Sequence, residues 1–479
     1  MRRSTLYTLT LLYLWIPVAI FLLTWINPWI GIPCFLLGTW ITLYAYRGVG
    51  GQVPFGGWPR EVLIVLMILL WVMVNGVGGF WYQTADHMFR NQVFINLVDY
   101  EWPIHDGEGH VLCYFWGFWA LPAVVAKAAG MYMAGYAFQV LWEAAGIWLA
   151  LRCTFIFINK GVRARVLLVM IVFGGAELLR NMLEIWFEPY GIGWYTYCDD
   201  IFFYSYPTTL LAFNFNQMCG AMAATALVLL DSKPGRSAVV VGMLAFSAPF
   251  ACMALFPVAL WQIGRHAFAL RNVWKIMGRI FSIWNVGTLA VCFPVLYYLS
   301  LTDSRMLPGY LPESWIWYGL VTTLLFGLGL WLPFIWDSVK RYAPFWIMVA
   351  TVAAAFCMQM STNPDLRSRI WVPLYMLLIM EVGKEVCRWE WLGVWRRSLL
   401  GLALLLGTWP SFSWVCGDWW SGFTEPFVSY RRYLISRTVF TLPVDSFRDH
   451  FVGTLPHNQI IVGSLDSSPA IEPAIEQEQ

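Results

Sequence analysis

The chain has 479 residues, 59% of them hydrophobic and only 12% charged, with 30 tryptophans. A soluble protein of this size has no way to hide that much apolar surface, so a soluble globular domain is excluded as the main architecture. A net charge of +2, with no basic tract interleaved with aromatic residues, argues against nucleic acid.

Apolar runs of about 20 residues recur along most of the chain, the mark of a polytopic helical membrane protein. They do not alternate in the manner of barrel strands. The fold class expected is therefore all-α, integral to the membrane. Helices are predicted near 5–26, 29–46, 61–81, 137–158, 164–181, 207–230, 281–300, 315–337, 343–360, 370–387 and 398–416. The basic start and long apolar run of the N-terminus lack a small-residue cleavage site and read as a retained helix. Segment 237–263 is long for one crossing, and Ser247-Ala248-Pro249 in its middle predicts two short helices meeting at a turn. Segment 111–129 contains Pro122 and Lys127, which suits a helix that does not cross.

With those two choices, 19 of the 30 basic residues fall on one side, from Arg2/Arg3 and Arg47/Arg60 to Lys384/Arg388/Arg396/Arg397. By the positive-inside rule that side is the cytoplasm. The expectation is about 13 spans, with the N-terminus inside and the C-terminus outside. Three regions follow: an N-terminal hairpin (1–60), a main transmembrane region (61–416), and an outer tail (417–479) that ends in the acidic, proline-containing "SSPAIEPAIEQEQ".

The outer loops gather the polar chemistry. "YQTADHMFRNQVFINLVDYEWPIHDGEGH" (82–110) holds five carboxylates and three of the six histidines. Its charges alternate with Phe89, Phe94, Ile95, Leu97, Tyr100 and Trp102, which predicts amphipathic helices lying on the membrane. Asp86 falls just beyond a helix, at the lipid–water boundary. A second loop supplies Glu177, Arg180 and the pair Asp199–Asp200 beside Trp194, Tyr195 and Tyr197. Aromatic platforms beside carboxylates suit sugars, although an interfacial aromatic belt has the same composition. Arg367 and Arg369 stand on the outer side against the general charge bias. An arginine just inside the boundary is expensive without an anionic partner, and a phosphate fits its two-pronged fork; an acidic side chain is the other possible partner. The remaining intramembrane charges are expected near the outer helix ends. Nucleotide-binding loops and HExxH are absent, the histidines have no zinc-ligand spacing, and the ten cysteines are scattered without a CxxC pair. No metal and no cofactor is expected.

An early aspartate in an outer loop after a transmembrane helix resembles the GT-C superfamily of membrane glycosyltransferases, which use sugars carried on polyprenyl phosphates. "DHMFRNQVFINLVDYEWP" is similar to a group of bacterial multi-spanning proteins in that superfamily, distantly similar to protein mannosyltransferases and lipid-A aminoarabinose transferases. Asp86, Asn91 and Trp102-Pro103 match that group's loop, and Arg90 stands where it has histidine. "GGAELL" places Glu177 where the group has an aspartate. Thr208, Thr209 and Gln217 of "YSYPTTLLAFNFNQ" match a Thr-Thr…Asn-Gln pattern. "FSAPFACMALFPVAL" is similar to a Ser-Pro-Phe…Pro hairpin. In "NPDLRSRIWVP", Asn363, Asp365, Arg369 and Pro373 match. The echoes run in order over 82–373.

The resemblance implies transfer of a sugar from a polyprenyl-phosphate donor to a glycan, lipid or protein acceptor of the cell envelope. Asp86 would be the general base, and Arg369 with Arg367 would hold the donor phosphate. Arg90, Asn91, Glu177, Asp199, Asp200 and Gln217 would position substrate. Some superfamily members use a divalent metal; nothing in this sequence demands one. The alternatives are a polymerase or ligase acting on lipid-linked glycans, whose key residues usually lie in one late outer loop, and a transporter or flippase for such glycans, which needs polar residues along a central path.

Overall fold

The computed structural model describes residues 1–83, 86–106, 109–159, 161–176, 179, 207–231, 233, 235–270, 272–302, 323–357, 366, 369–424, 452–454 and 460–461. Among them the chain is helical almost throughout. Four stretches are long and apolar enough to cross a membrane: Arg3–Thr24, Tyr132–Ile158, Pro207–Leu230 and Val273–Leu299. The expected membrane-protein class is thus met, and the full count of spans stays an expectation.

Helix α1 (Arg3–Thr24) and α2 (Pro28–Tyr44) form a hairpin with a local cause. Asn27 caps α2 by accepting from the Trp29 backbone N–H at 3.1 Å, and Pro28 supplies the fixed φ of a first helical turn. Gly31 and Gly38 let the two helices touch: a Cβ at Gly38 would stand 2.2 Å from the Trp15 ring. α3 (Trp58–Val74) is followed by α4 (Asp86–Asp99), α5 (Gly117–Ala129) and α6 (Tyr132–Ile158). At 13 residues α5 is about 20 Å long. It packs against α1, α4 and α6, a buried helix too short to span the bilayer.

α7 (Ala164–Val172) covers the first half of the predicted 164–181 helix and ends there, because the chain turns extended at Phe173 and runs into Gly174-Gly175. The backbone groups freed there are satisfied inside the protein. Trp331 Nε1 donates to Gly174 O at 3.0 Å, and Ala176 N donates to Phe326 O at 2.8 Å. α8 (Pro207–Leu230) has its predicted limits, with a kink at Asn214.

α9 (Arg236–Leu244) and α10 (Pro249–Phe268) break at the predicted Ser247-Ala248-Pro249 and pack on each other. α11 (Val273–Ile280) is amphipathic and has no buried residue; α12 (Ile283–Leu299) follows after the Ser282 cap. The predicted helix 315–337 is instead a π-turn segment (Thr323–Leu328) and a short α13 (Leu332–Val339), with 303–322 outside the described residues. α14 (Ala343–Cys357), α15 (Val372–Cys387) and α16 (Val394–Thr424) complete the set.

Basic clusters from distant parts of the chain meet at one end of the bundle. Arg3 N bonds to Gly51 O at 3.0 Å. Arg236 lies over Tyr46, and Lys384 over Phe157. Trp40 stacks on Trp284, which brings the start of α12 to the same end. The opposite end, called here the site end, holds α4, the α9–α10 turn and the starts of α8 and α15. Part of the tail returns to it: β1 (His110–Leu112) pairs antiparallel with β2 (Val452–Thr454), and Asn27 N donates to Ile460 O at 2.8 Å.

Candidate functional site

α4 corrects one expectation from sequence. The loop does form a helix, yet it lies inside the protein rather than on the membrane surface. His87, Arg90, Asn91, Gln92 and Asn96 are as buried as Val93, Phe94 and Leu97. A helix that is polar on several faces and still buried has to find partners for its side chains, so its neighbours are chosen by hydrogen bonding as well as by volume.

Those neighbours come from α8 and from the approach to α4. Arg90 Nη2 donates to Asn214 Oδ1 at 3.1 Å. The guanidinium also lies 5.9 Å from the centre of the Phe215 ring, and His87 lies nearly parallel to that ring at 5.3 Å. Asn91 Nδ2 donates to Gln83 Oε1 at 3.1 Å, and Gln83 Nε2 donates to Gly76 O at 2.8 Å. The kink at Asn214 is therefore where α8 turns a side-chain acceptor to α4. Gln217, one turn on, is buried with neither amide atom hydrogen-bonded among the described residues; Asn216 is the same. Buried amides without partners are costly and mark where another polar group fits.

Arg369 reaches the same region from α15's approach. It is only 4% exposed, and its guanidinium lies 5.7 Å from the Phe115 ring and 5.5 Å from the Phe250 ring. Both rings line a cavity of about 860 Å³ between α9, α10 and α12. Val241, Ala245, Phe256, Leu289 and Leu296 give it an apolar wall, and Ser300, Thr302 and Leu366 stand toward the site end. Asn285 and Ile280 lie at its other end, so the cavity follows nearly the whole of α12, about 20 Å. A cation thus sits over the rings at one end of a long apolar groove. The same short stretch links the two arginines: Phe115 packs under Arg369, while Phe118 packs edge-on to Phe215 at 5.1 Å.

The end of α4 carries a second polar group. Tyr132 Oη donates to Asp99 Oδ1, and Lys127 Nζ donates to Tyr100 O at 2.7 Å while lying over Trp102. Burial raises the Asp99 carboxyl above its ordinary range; the Tyr132 bond and Lys127 pull the other way without cancelling it. Burial lowers the Lys127 ammonium, opposed by Asp99 and Glu101.

Of the residues expected from sequence, Arg90, Asn91 and Gln217 come together around α4 and α8, and Arg369 lies at the groove. Asp86 opens α4, with its side chain outside the described set. Glu177, Asp199, Asp200 and Arg367 also lie outside the described residues. Sequence reasoning missed Gln83, His87, Asn214 and the two rings beneath Arg369. It also expected intramembrane charge only near outer helix ends. Glu143 overturns this: it is fully buried at the middle of α6. The signal was a lone carboxylate in the apolar stretch "AFQVLWEAAGIWLAL". Comparison with known proteins finds no matching family model, curated protein or solved structure.

Proposed function

We propose that the chain is a GT-C-type glycosyltransferase that moves a sugar from a polyprenyl-phosphate donor to a cell-envelope acceptor at the outer face of the bacterial cytoplasmic membrane. One observation carries the reading: Arg369 stands over two rings that line a long apolar groove. The groove suits a polyprenyl tail, and the guanidinium suits the phosphate that follows it. In the reaction the acceptor hydroxyl oxygen attacks the anomeric carbon and gives its proton to the Asp86 carboxylate. The bond from that carbon to the phosphate oxygen breaks, its electron pair stays on the phosphate, and Arg369, helped by Arg367, stabilises the charge. Arg90, Asn91 and Gln217 position the sugar or acceptor from the α4–α8 contact, joined by Glu177, Asp199 and Asp200 from the second outer loop.

A second reading is export of a lipid-linked glycan, favoured by the buried carboxylate of Glu143 on a central helix. Both readings need the lipid site. Binding of a labelled polyprenyl phosphate to the purified protein tests it. Arg369→Ala should weaken binding roughly ten- to a hundredfold, the loss of one bond to a charged group, and Arg369→Lys less. Leu289→Trp, which narrows the groove, should weaken it as well. Unchanged affinity in Arg369→Ala with a lowered melting temperature would reject the phosphate role. Sugar transfer in vesicles, against export of intact donor, then separates the two readings.

A further inference from the structure

Glu143 has a defined setting. Its Oε2 accepts from the Cys219 thiol at 3.0 Å, and Cys219 Sγ lies 2.9 Å from Tyr13 Oη. These three residues fall near the midpoints of α6, α8 and α1, three of the four stretches able to cross a membrane. Gly146 permits the approach, since a Cβ there would stand 2.6 Å from Tyr13 Oη. Tyr13 and Cys219 are the titratable groups that face Glu143. Among the described residues no cation pairs with it, and its Oε1 has no hydrogen-bond partner. Neither amide atom of Gln139, one turn away on α6, has one among the described residues.

Buried polar groups continue from this point in both directions. Along α1, Thr10 and Tyr7 follow Tyr13 at three-residue steps on one helix face. Thr10 donates to Leu6 O of its own helix at 2.9 Å and lies beside Cys153 of α6. Tyr7 packs edge-on to Tyr46 at 5.3 Å, and Arg236 lies over Tyr46 while pairing with Asp231 at 2.9 Å. Toward the site end of the same two helices Gln139 and Asn216 are buried, and Asn214 accepts from Arg90. A bundle packed only against lipid has no need for a file of protic side chains through its middle, and ionisable groups there are costly.

We infer that Glu143 is the central station of a proton path through the bundle, between the Asp231–Arg236 end and the Arg90–Asn214 end. The Glu143 carboxylate gains a proton from one side, forming an O–H bond at Oε1. It loses that proton to the other side, with water entering transiently between stations. Each passage moves one proton between the two aqueous phases and consumes nothing else. The inference goes beyond the lipid site and stands whether that site transfers a sugar or exports a glycan.

The full-length protein in liposomes loaded with a pH-sensitive dye, under a potassium diffusion potential, tests this path. Wild type should move protons several-fold faster than protein-free vesicles. Glu143→Gln, nearly identical in shape, should fall to the protein-free rate, and Glu143→Asp should keep part of the flux. Wild-type flux no faster than protein-free vesicles overturns the inference. So does flux in Glu143→Gln equal to wild type, the result expected if Glu143 only clamps three helices together. Should Glu143→Gln fail to fold, Thr10→Val interrupts the same file: slowed flux supports the path and unchanged flux overturns it.

Discussion

Arg90 on α4 and Asn214 at the kink of α8 are joined by a single hydrogen bond of 3.1 Å, although 124 positions separate them in the chain. The bond links a buried polar helix to a long apolar one. Replacing Asn214 by Ala removes an acceptor from a buried guanidinium and should cost about 1.5–3 kcal/mol of stability. A double-mutant cycle with Arg90→Met, read by thermal unfolding in detergent, should give a coupling energy of the same size. Additive losses would mean that the two side chains act independently.

Asp86→Asn removes a proton acceptor with little change of shape. If Asp86 is the general base of a sugar transfer, the rate should fall about 10²–10⁴-fold with melting temperature unchanged. Activity within a few-fold of wild type removes Asp86 from that role and moves attention to Asp99 or to the Asp199–Asp200 pair.

The opposite end is held by a buried ion pair. Arg152 Nη1 donates to both carboxylate oxygens of Glu61, at 2.8 and 2.9 Å, and Nη2 donates to Pro54 O. This ties α3 to α6. Glu61→Gln or Arg152→Met leaves one buried charge without its counter-ion and should destabilise by about 3–5 kcal/mol. Lipid affinity per folded molecule should not change, because neither residue lines the groove.

Asp99 gives a pH signature. Its carboxyl is raised above the ordinary 3.8 by burial. A group raised in the folded state adds stability that is full below the unfolded value and is lost as pH rises through the folded one. Compared with Asp99→Asn, which does not titrate there, wild type should therefore gain stability as pH falls from neutrality to about 4. Parallel melting curves that never converge or cross over that window would show that Asp99 is not held in this environment.

Topology is tested by labelling from one side of the membrane. Lys275 lies on α11, beside the helix ends that carry Arg236 and Arg265, whereas Trp29 starts α2 at the site end and is 90% exposed. Lys275→Cys and Trp29→Cys should react from opposite compartments, with Trp29→Cys outside. Labelling of both from the same side would break the α9–α10 hairpin and the orientation built on it.

Much of the helical layout was legible in the sequence because its causes are local. Apolar length decided α1, α6 and α8, Asn27-Pro28 decided the first turn, and Ser247-Ala248-Pro249 decided the break between α9 and α10. The gathering of basic clusters at one end followed from the same spacing. The site was legible in part, since Arg90, Asn91, Gln217 and Arg369 stand out as polar groups beside apolar runs. The surroundings that give them meaning were decided only in three dimensions. Alternating charge and aromatics in 86–99 fit a helix on the membrane surface; the fold buries it, with Asn214 and Gln83 arriving from elsewhere to bond Arg90 and Asn91 and Phe215 stacking on His87. Phe115 and Phe250 are ordinary apolar residues until tertiary packing brings both beneath Arg369. Glu143, Cys219 and Tyr13 lie on three separate helices, and no local pattern records that their midpoints meet. Periodicity reports which face of a helix is apolar; it does not report which helices touch, and hydrogen bonds and ring contacts between distant segments depend on that.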